Sequence, residues 1–233
     1  MPDWPDAILF DFDGVLVHSE PLHVQAFQAV ARQEGLELSD ETYYEHLLGY
    51  DDRGGLRKLF ELNNRKIEPK DVLRLVAQKH KAAEALIHQK KYAALPGVEE
   101  TVRGLWRNYP LAVCSGALGS EIELMLEGVA LRDCFRVIVS AEDVTVGKPD
   151  PECYLRGVEL LARKYHRRLN PRNCLVFEDA PRVIDRLKPL GFVCVGIASI
   201  VPADRFSNAD YVLHSLAPAE IKAKIPRLKL FEG

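Results

Sequence analysis

Short apolar runs that stop at polar loops recur along the chain, at Ala7–Phe10, Leu111–Cys114, Val137–Val139, Cys174–Phe177 and Val193–Ile197. Runs of this length, apolar throughout, predict strands buried on both faces, as in a parallel sheet. Between them apolar positions recur at helical spacing over Gly97–Asn108, Ser120–Glu127, Pro151–Tyr165 and Pro181–Leu190. The third of these opens with proline and an acidic residue, as helices often do. Strands alternating with helices predict right-handed βαβ units in a doubly wound, Rossmann-like α/β sheet. The stretch Pro21–Tyr92 carries helical patterns alone and predicts a small all-helical cap inserted after the first strand. Turn-prone residues mark its edges, His18-Ser19-Glu20-Pro21 and Ala94-Leu95-Pro96-Gly97. The expected division is a core of residues 1–18 and 93–233 and a cap of 19–92, with the two crossings forming a hinge.

Composition narrows the partners. A net charge of −3 leaves no positive field that would hold nucleic acid or anionic lipid. The cysteines, Cys114, Cys134, Cys153, Cys174 and Cys194, lack the close pairs of a zinc site, which predicts reduced thiols. The start, MPDWPDAILFDFDG, has no basic segment or long apolar stretch, so a cytoplasmic protein is expected. A monomer or weak homodimer is the separate expectation for its assembly.

Candidate chemistry gathers at strand ends, where ligands bind in open α/β sheets. Leu9-Phe10-Asp11-Phe12-Asp13-Gly14-Val15 delivers two carboxylates and a glycine. Alternation places Asp11 and Asp13 on one side of the strand unless the turn re-aims the second. Such a pair can hold a hard cation and divide the work of nucleophile and proton donor. Cys114-Ser115-Gly116 offers a hydroxyl and backbone amides to phosphate oxygens, or is merely a turn. Lys148, in Gly147-Lys148-Pro149-Asp150-Pro151, could neutralise a phosphate in transfer. Glu178 and Asp179 end the next strand with two further acids suited to a hard cation.

Together, Asp-x-Asp-Gly-Val, Ser115, Gly-Lys-Pro-Asp-Pro and Glu-Asp resemble the haloacid dehalogenase-like superfamily, over nearly the whole chain. The stretch Asp11–His23 and the helical insertion look like its branch of β-phosphoglucomutase and sugar-phosphate phosphatases. The resemblance implies Asp11 as aspartyl-phosphate nucleophile, Asp13 as general acid/base, and Ser115 and Lys148 as phosphate binders. It further implies Mg2+ held by Asp11, Asp179 and the Asp13 carbonyl, with Glu178 behind them. The expected substrate is a small phosphorylated metabolite. Ala180-Pro181-Arg182-Val183-Ile184 departs from the family pattern by lacking its small polar residue and later glycine.

Further candidates face the substrate or cap. His23, following Ser19, stands where the family controls its proton donor. Lys79 falls in the middle of an apolar face made by Val72, Leu75, Val76, Ala83, Leu86 and Ile87. Its head either snorkels to water or meets substrate. The mutase's cap arginine would align at or beside Asp52, with Arg53 shifted by one. Gly116-Ala117-Leu118 lacks the mutase's polar and basic side chains, which favours a phosphatase over a phosphosugar mutase. A catalytically idle phosphate-binding protein is the non-enzymatic alternative. A receiver-like signalling domain would lack the large insertion.

Overall fold

The computed structural model describes residues 4–230. Six strands form one sheet, all neighbours parallel, in the order β3-β2-β1-β4-β5-β6. They are β1 (Ala7–Phe10), β2 (Leu111–Cys114), β3 (Val137–Val139), β4 (Cys174–Glu178), β5 (Val193–Ile197) and β6 (Tyr211–Leu213). Because strand side chains alternate, each apolar run feeds two cores. Ile8 and Phe10 join Leu111, Val113, Leu175 and Phe177 on one face. Ala7 and Leu9 join Ala112, Cys114, Cys174 and Val176 on the other.

Helices close both faces. Helix α5 (Val98–Trp106), α6 (Gly119–Gly128) and α9 (Pro218–Lys224) cover the first core, with Val102, Met125 and Ile221 buried there. Helix α7 (Glu152–Lys164) and α8 (Pro181–Leu187) cover the second with Tyr154, Leu161 and Ile184. Phe10 stacks on Phe177 across the sheet centre, ring centroids 4.8 Å apart. Burying each such side chain stabilises the fold by about 1.5–3 kcal/mol. All five cysteines are buried free thiols.

Between β1 and β2 the chain is helical: α1 (Glu20–Glu34), a short α2 (Asp40–Thr42) running into a π-helical turn at Tyr43–Leu47, α3 (Asp52–Leu62) and α4 (Pro69–His88). These pack around their own apolar cluster, which includes Phe27, Val30, Leu56, Leu59 and Leu75. Gly35 ends α1 in the left-handed conformation, φ 65°, where its N–H returns to Ala31 and Arg32 carbonyls. The two crossings run side by side: Val17 bridges Ala94, and His18 N–H donates to Ala93 O at 2.8 Å.

Strand β6 and helix α9 are absent from the sequence expectation. Tyr211–Leu213 is a three-residue edge strand of which two residues are only half-buried, so no continuous apolar run marks it. Among the described residues no helix is long and apolar enough to cross a membrane.

Candidate active site

Strands β1 and β4 lie side by side, Phe10 in register with Phe177, so their carboxyl ends deliver Asp11, Glu178 and Asp179 to one point. One carboxylate oxygen from each lies within 4.8 Å of the others, and all three residues are buried. Lys148 enters from the loop before α7. Its ammonium donates to Asp11 Oδ1 at 2.7 Å, to Glu178 Oε2 at 2.9 Å and to the Tyr154 hydroxyl at 3.1 Å. Glu178 is fully used, since Oε1 also accepts from Ala180 N–H at 3.0 Å and Tyr154 donates to Oε2.

Three acids share one ammonium. Burial, reinforced by the Glu178 charge, pushes the Asp11 carboxyl well above the ordinary range. Burial and the Asp11 charge do the same at Asp179. Asp179 Oδ2 is buried with no hydrogen-bond partner. A β-carbon on Gly14, whose φ is +74°, would run into that oxygen. An unpartnered buried carboxylate oxygen, beside a second acid and a glycine that keeps the space open, fits a hard divalent cation. Asp11 and Asp179 are the residues that would hold such a cation.

Asp13 is aimed elsewhere. The chain turns at Gly14, and the Asp13 carboxylate faces the insertion, where Oδ1 accepts from Ser19 Oγ and pairs with His23 Nε2 at 3.0 Å. Its side chain is therefore outside the three-acid cluster, and only its main-chain carbonyl is left for the ligand role that the resemblance implies. Burial opposes its ionisation, but His23 and the Ser19 hydroxyl outweigh burial and hold the carboxyl below its ordinary range. Ser115 Oγ lies 3.4 Å from Asp13 Oδ2 and accepts from Ala117 N–H at 3.0 Å. Ser115 N–H donates to Val139 O, so these two loop amides are already engaged. Gly116 lines the cavity between Asp11, Asp13 and the insertion.

Lys79 neither snorkels nor reaches this cavity. It is fully buried, donating to His23 Nδ1 at 2.7 Å and pairing with Asp52 Oδ1 at 2.8 Å. An ammonium has only donors. Nδ1 must therefore accept, the ring carries its proton on Nε2, and His23 donates to Asp13. Arg53 also lies off the cavity wall, binding Asp51 Oδ2 at 3.2 Å and the Ala141 carbonyl at 2.7 Å.

The insertion is fastened to the core at several points. Besides Arg53, Asp51 N–H donates to Lys148 O at 3.2 Å, and His80 Nδ1 meets Glu121 Oε1 at 2.7 Å. Arg182, within the departing Ala180–Ile184 segment, donates to the His46 and Glu45 carbonyls and lies 4.8 Å from the Tyr50 ring centre. That segment thus serves as a seat for the π-helical turn.

Four participants escaped the sequence reading. Tyr154 reads as one more apolar position of α7, and Glu20, Tyr43 and Asp52 as ordinary helix residues. Tyr43 donates to Glu20 Oε1 at 2.6 Å. No local signal in the sequence singles them out, because their partners lie on other elements.

Residues 8–196 match the model of the haloacid dehalogenase-like hydrolases. The chain belongs to that family. Among its haloacid dehalogenase-like relatives are hexitol phosphatase A of Escherichia coli, 32% identical over 89% of this chain and 90% of its own, and the phosphorylated carbohydrates phosphatase of Thermotoga maritima, 30% identical over 80% and 82%. A crystal structure of β-phosphoglucomutase from Clostridium difficile matches with a TM-score of 0.80 at 24% identity, covering 94% of each chain. At that identity the likeness speaks for the fold.

Proposed function

We propose that this haloacid dehalogenase-like hydrolase is a Mg2+-dependent phosphatase of the cytoplasm, acting on a small phosphorylated metabolite, a sugar phosphate, through an aspartyl-phosphate on Asp11. The observation that carries the reading is the pairing of Asp11, gripped by Lys148 at 2.7 Å, with an Asp13 turned away onto Ser19 and His23. One acid is presented as nucleophile and the other as proton carrier. Relatives named as phosphatases of hexitols and phosphorylated carbohydrates support the substrate class.

Asp11 attacks phosphorus and the bond to the leaving oxygen breaks, while Asp13 gives that oxygen a proton. Asp13, now ionised, takes a proton from water; the water oxygen attacks phosphorus, the Asp11–phosphorus bond breaks, and inorganic phosphate leaves. His23 and Ser19 favour the ionised form of Asp13 before substrate arrives, so for the first turnover it takes its proton from solvent as the phosphate dianion raises its affinity for one; each later turnover inherits the proton taken from the attacking water. Lys148 and Ser115 steady the phosphate oxygens. Mg2+, held by Asp11, Asp179 and the main-chain carbonyl of Asp13, would let phosphate and carboxylates coexist.

The cavity at the strand ends measures about 50 Å³, room for a few waters. A sugar phosphate needs more, so residues 19–92 swing as a cap about the paired crossings. Phosphate release from sugar phosphates and from p-nitrophenyl phosphate, with and without Mg2+, tests the reading. A phosphoryl group trapped on Asp11 is expected. Release from none of them in Mg2+ defeats it and favours a binding protein; transfer between sugar positions without release favours a mutase.

A further inference from the structure

The cap's contribution to the cavity is acidic and hydroxylic. Glu20, His23, Phe27, Tyr43, Tyr50 and Asp52 supply most of that wall. The basic groups nearby are all spent on protein partners. Lys79 is buried behind the wall against Asp52 and His23. Arg53 is turned onto Asp51 and Ala141, and Arg182 onto the carbonyls of the π-helical turn. On this side the carboxylates of Asp13, Glu20 and Asp52 stand against the one ammonium of Lys79, with the singly protonated His23 ring between Asp13 and Lys79.

A second anionic group on the substrate would meet this wall where His23 and Lys79 are already engaged by Asp13 and Asp52, and like-charge juxtaposition in a low-dielectric site is repulsive. Hydroxyl groups fare differently. Each carboxylate has acceptor capacity beyond its present contacts: Glu20 Oε1 accepts from Tyr43 and Asp52 Oδ1 meets Lys79, which leaves the second oxygen of each for a sugar O–H.

From this we infer that the leaving-group site selects a neutral polyhydroxy alcohol and rejects leaving groups carrying a carboxylate or second phosphate, with Asp52 and Glu20 as the residues that enforce the choice. The inference rests on the phosphatase reading and narrows it. Asp52 acts twice, by lining the cavity and by consuming the Lys79 charge that would otherwise attract an anion.

Matched pairs test it: glucitol 6-phosphate against 6-phosphogluconate, and glycerol 3-phosphate against 3-phosphoglycerate, each pair differing by a CH2OH replaced by a carboxylate. In each pair kcat/KM should be at least about tenfold lower for the acid. Asp52→Asn should narrow that gap by threefold or more, roughly, through better use of the acids. Glu20→Gln, which keeps an acceptor for Tyr43, should narrow it as well and covers the case in which unpairing Lys79 unfolds the first variant. Acids handled as well as alcohols, or a gap unchanged in the folded variants, overturns the inference. So does hydrolysis of p-nitrophenyl phosphate with turnover of neither alcohol. Failure on every ester, the aryl one included, strikes the phosphatase reading instead.

Discussion

Gly14 and Asp179 face each other so closely that the glycine's missing side chain is what leaves Asp179 Oδ2 its space. Gly14→Ala adds a methyl group to that space and forces a side chain into a left-handed backbone at φ +74°. The strain should lower stability by about 1–3 kcal/mol, and phosphate release should fall to background. Thermal denaturation and a phosphate assay check both; an active, equally stable variant would show that the loop simply moves aside.

Removing the metal should destabilise the protein, because Asp11, Glu178 and Asp179 crowd their charges around a single Lys148. Magnesium at roughly 100 times its Kd should add about 2.7 kcal/mol, read as a rise in Tm that EDTA reverses. Asp179→Asn should abolish most of that rise. An unchanged Tm in wild type would place the cation elsewhere.

Lys79→Ala leaves His23 Nδ1 without its donor and the Asp52 carboxylate without its cation in a buried position. Breaking such a pair should cost about 3–5 kcal/mol of stability. Lys79 touches His23, which touches Asp13; under the proposed mechanism Asp13 serves aspartyl-phosphate hydrolysis whatever the leaving group, so turnover of p-nitrophenyl phosphate and of glucitol 6-phosphate should drop by similar factors. A loss confined to the sugar phosphate would put the ammonium against substrate.

Two buried thiols should make stability fall at alkaline pH. Burial pushes Cys174 and Cys194 from 9.0 up to about 12. A neutral group with a raised folded pKa contributes its full stabilisation below pH 9, and loses it progressively between 9 and about 12 as the unfolded thiol ionises. Urea unfolding at about pH 8 and about pH 10.5 should show a loss of about 2 kcal/mol per thiol. Cys194→Ala should be less stable at the lower pH yet lose about 2 kcal/mol less on going to the higher. An identical pH slope in variant and wild type would remove the thiol from this account.

The chain announces the sheet centre through its apolar runs, since strands buried on both faces cannot tolerate polar alternation, and five strands were legible for that reason. The acids at their ends were legible too, because a charge that directly follows a buried strand has few places to go, and Lys148 was legible from the rigid Gly147-Lys148-Pro149 loop that holds it. Directions were not. Gly14 re-aims Asp13, and nothing local in Asp-x-Asp-Gly states toward what. Lys79 was visible as a charge on an apolar face, but its partner Asp52 lies on another helix, and a long flexible side chain carries no mark of the way it points. Tyr154 was hidden differently: its ring obeys the helical pattern of α7 while its hydroxyl bonds Lys148 and Glu178. The segment after Asp179, a blemish against the family pattern, acquires a role only once Arg182 is seen to hold the π-helical turn.

The bridge between Val17 and Ala94 bears on how the chain finds its fold. Ile8 must pair with Leu111 across about a hundred intervening residues, a contact of high sequence separation and hence slow to form. If α1 and α4 first join around their own apolar cluster, the residues flanking them are drawn together and the span left to close shrinks to about thirty. Closure entropy grows as the logarithm of loop length, so this shortcut saves about 1 kcal/mol. The insertion is then a splint for the central strand pair, set before the sheet around it exists.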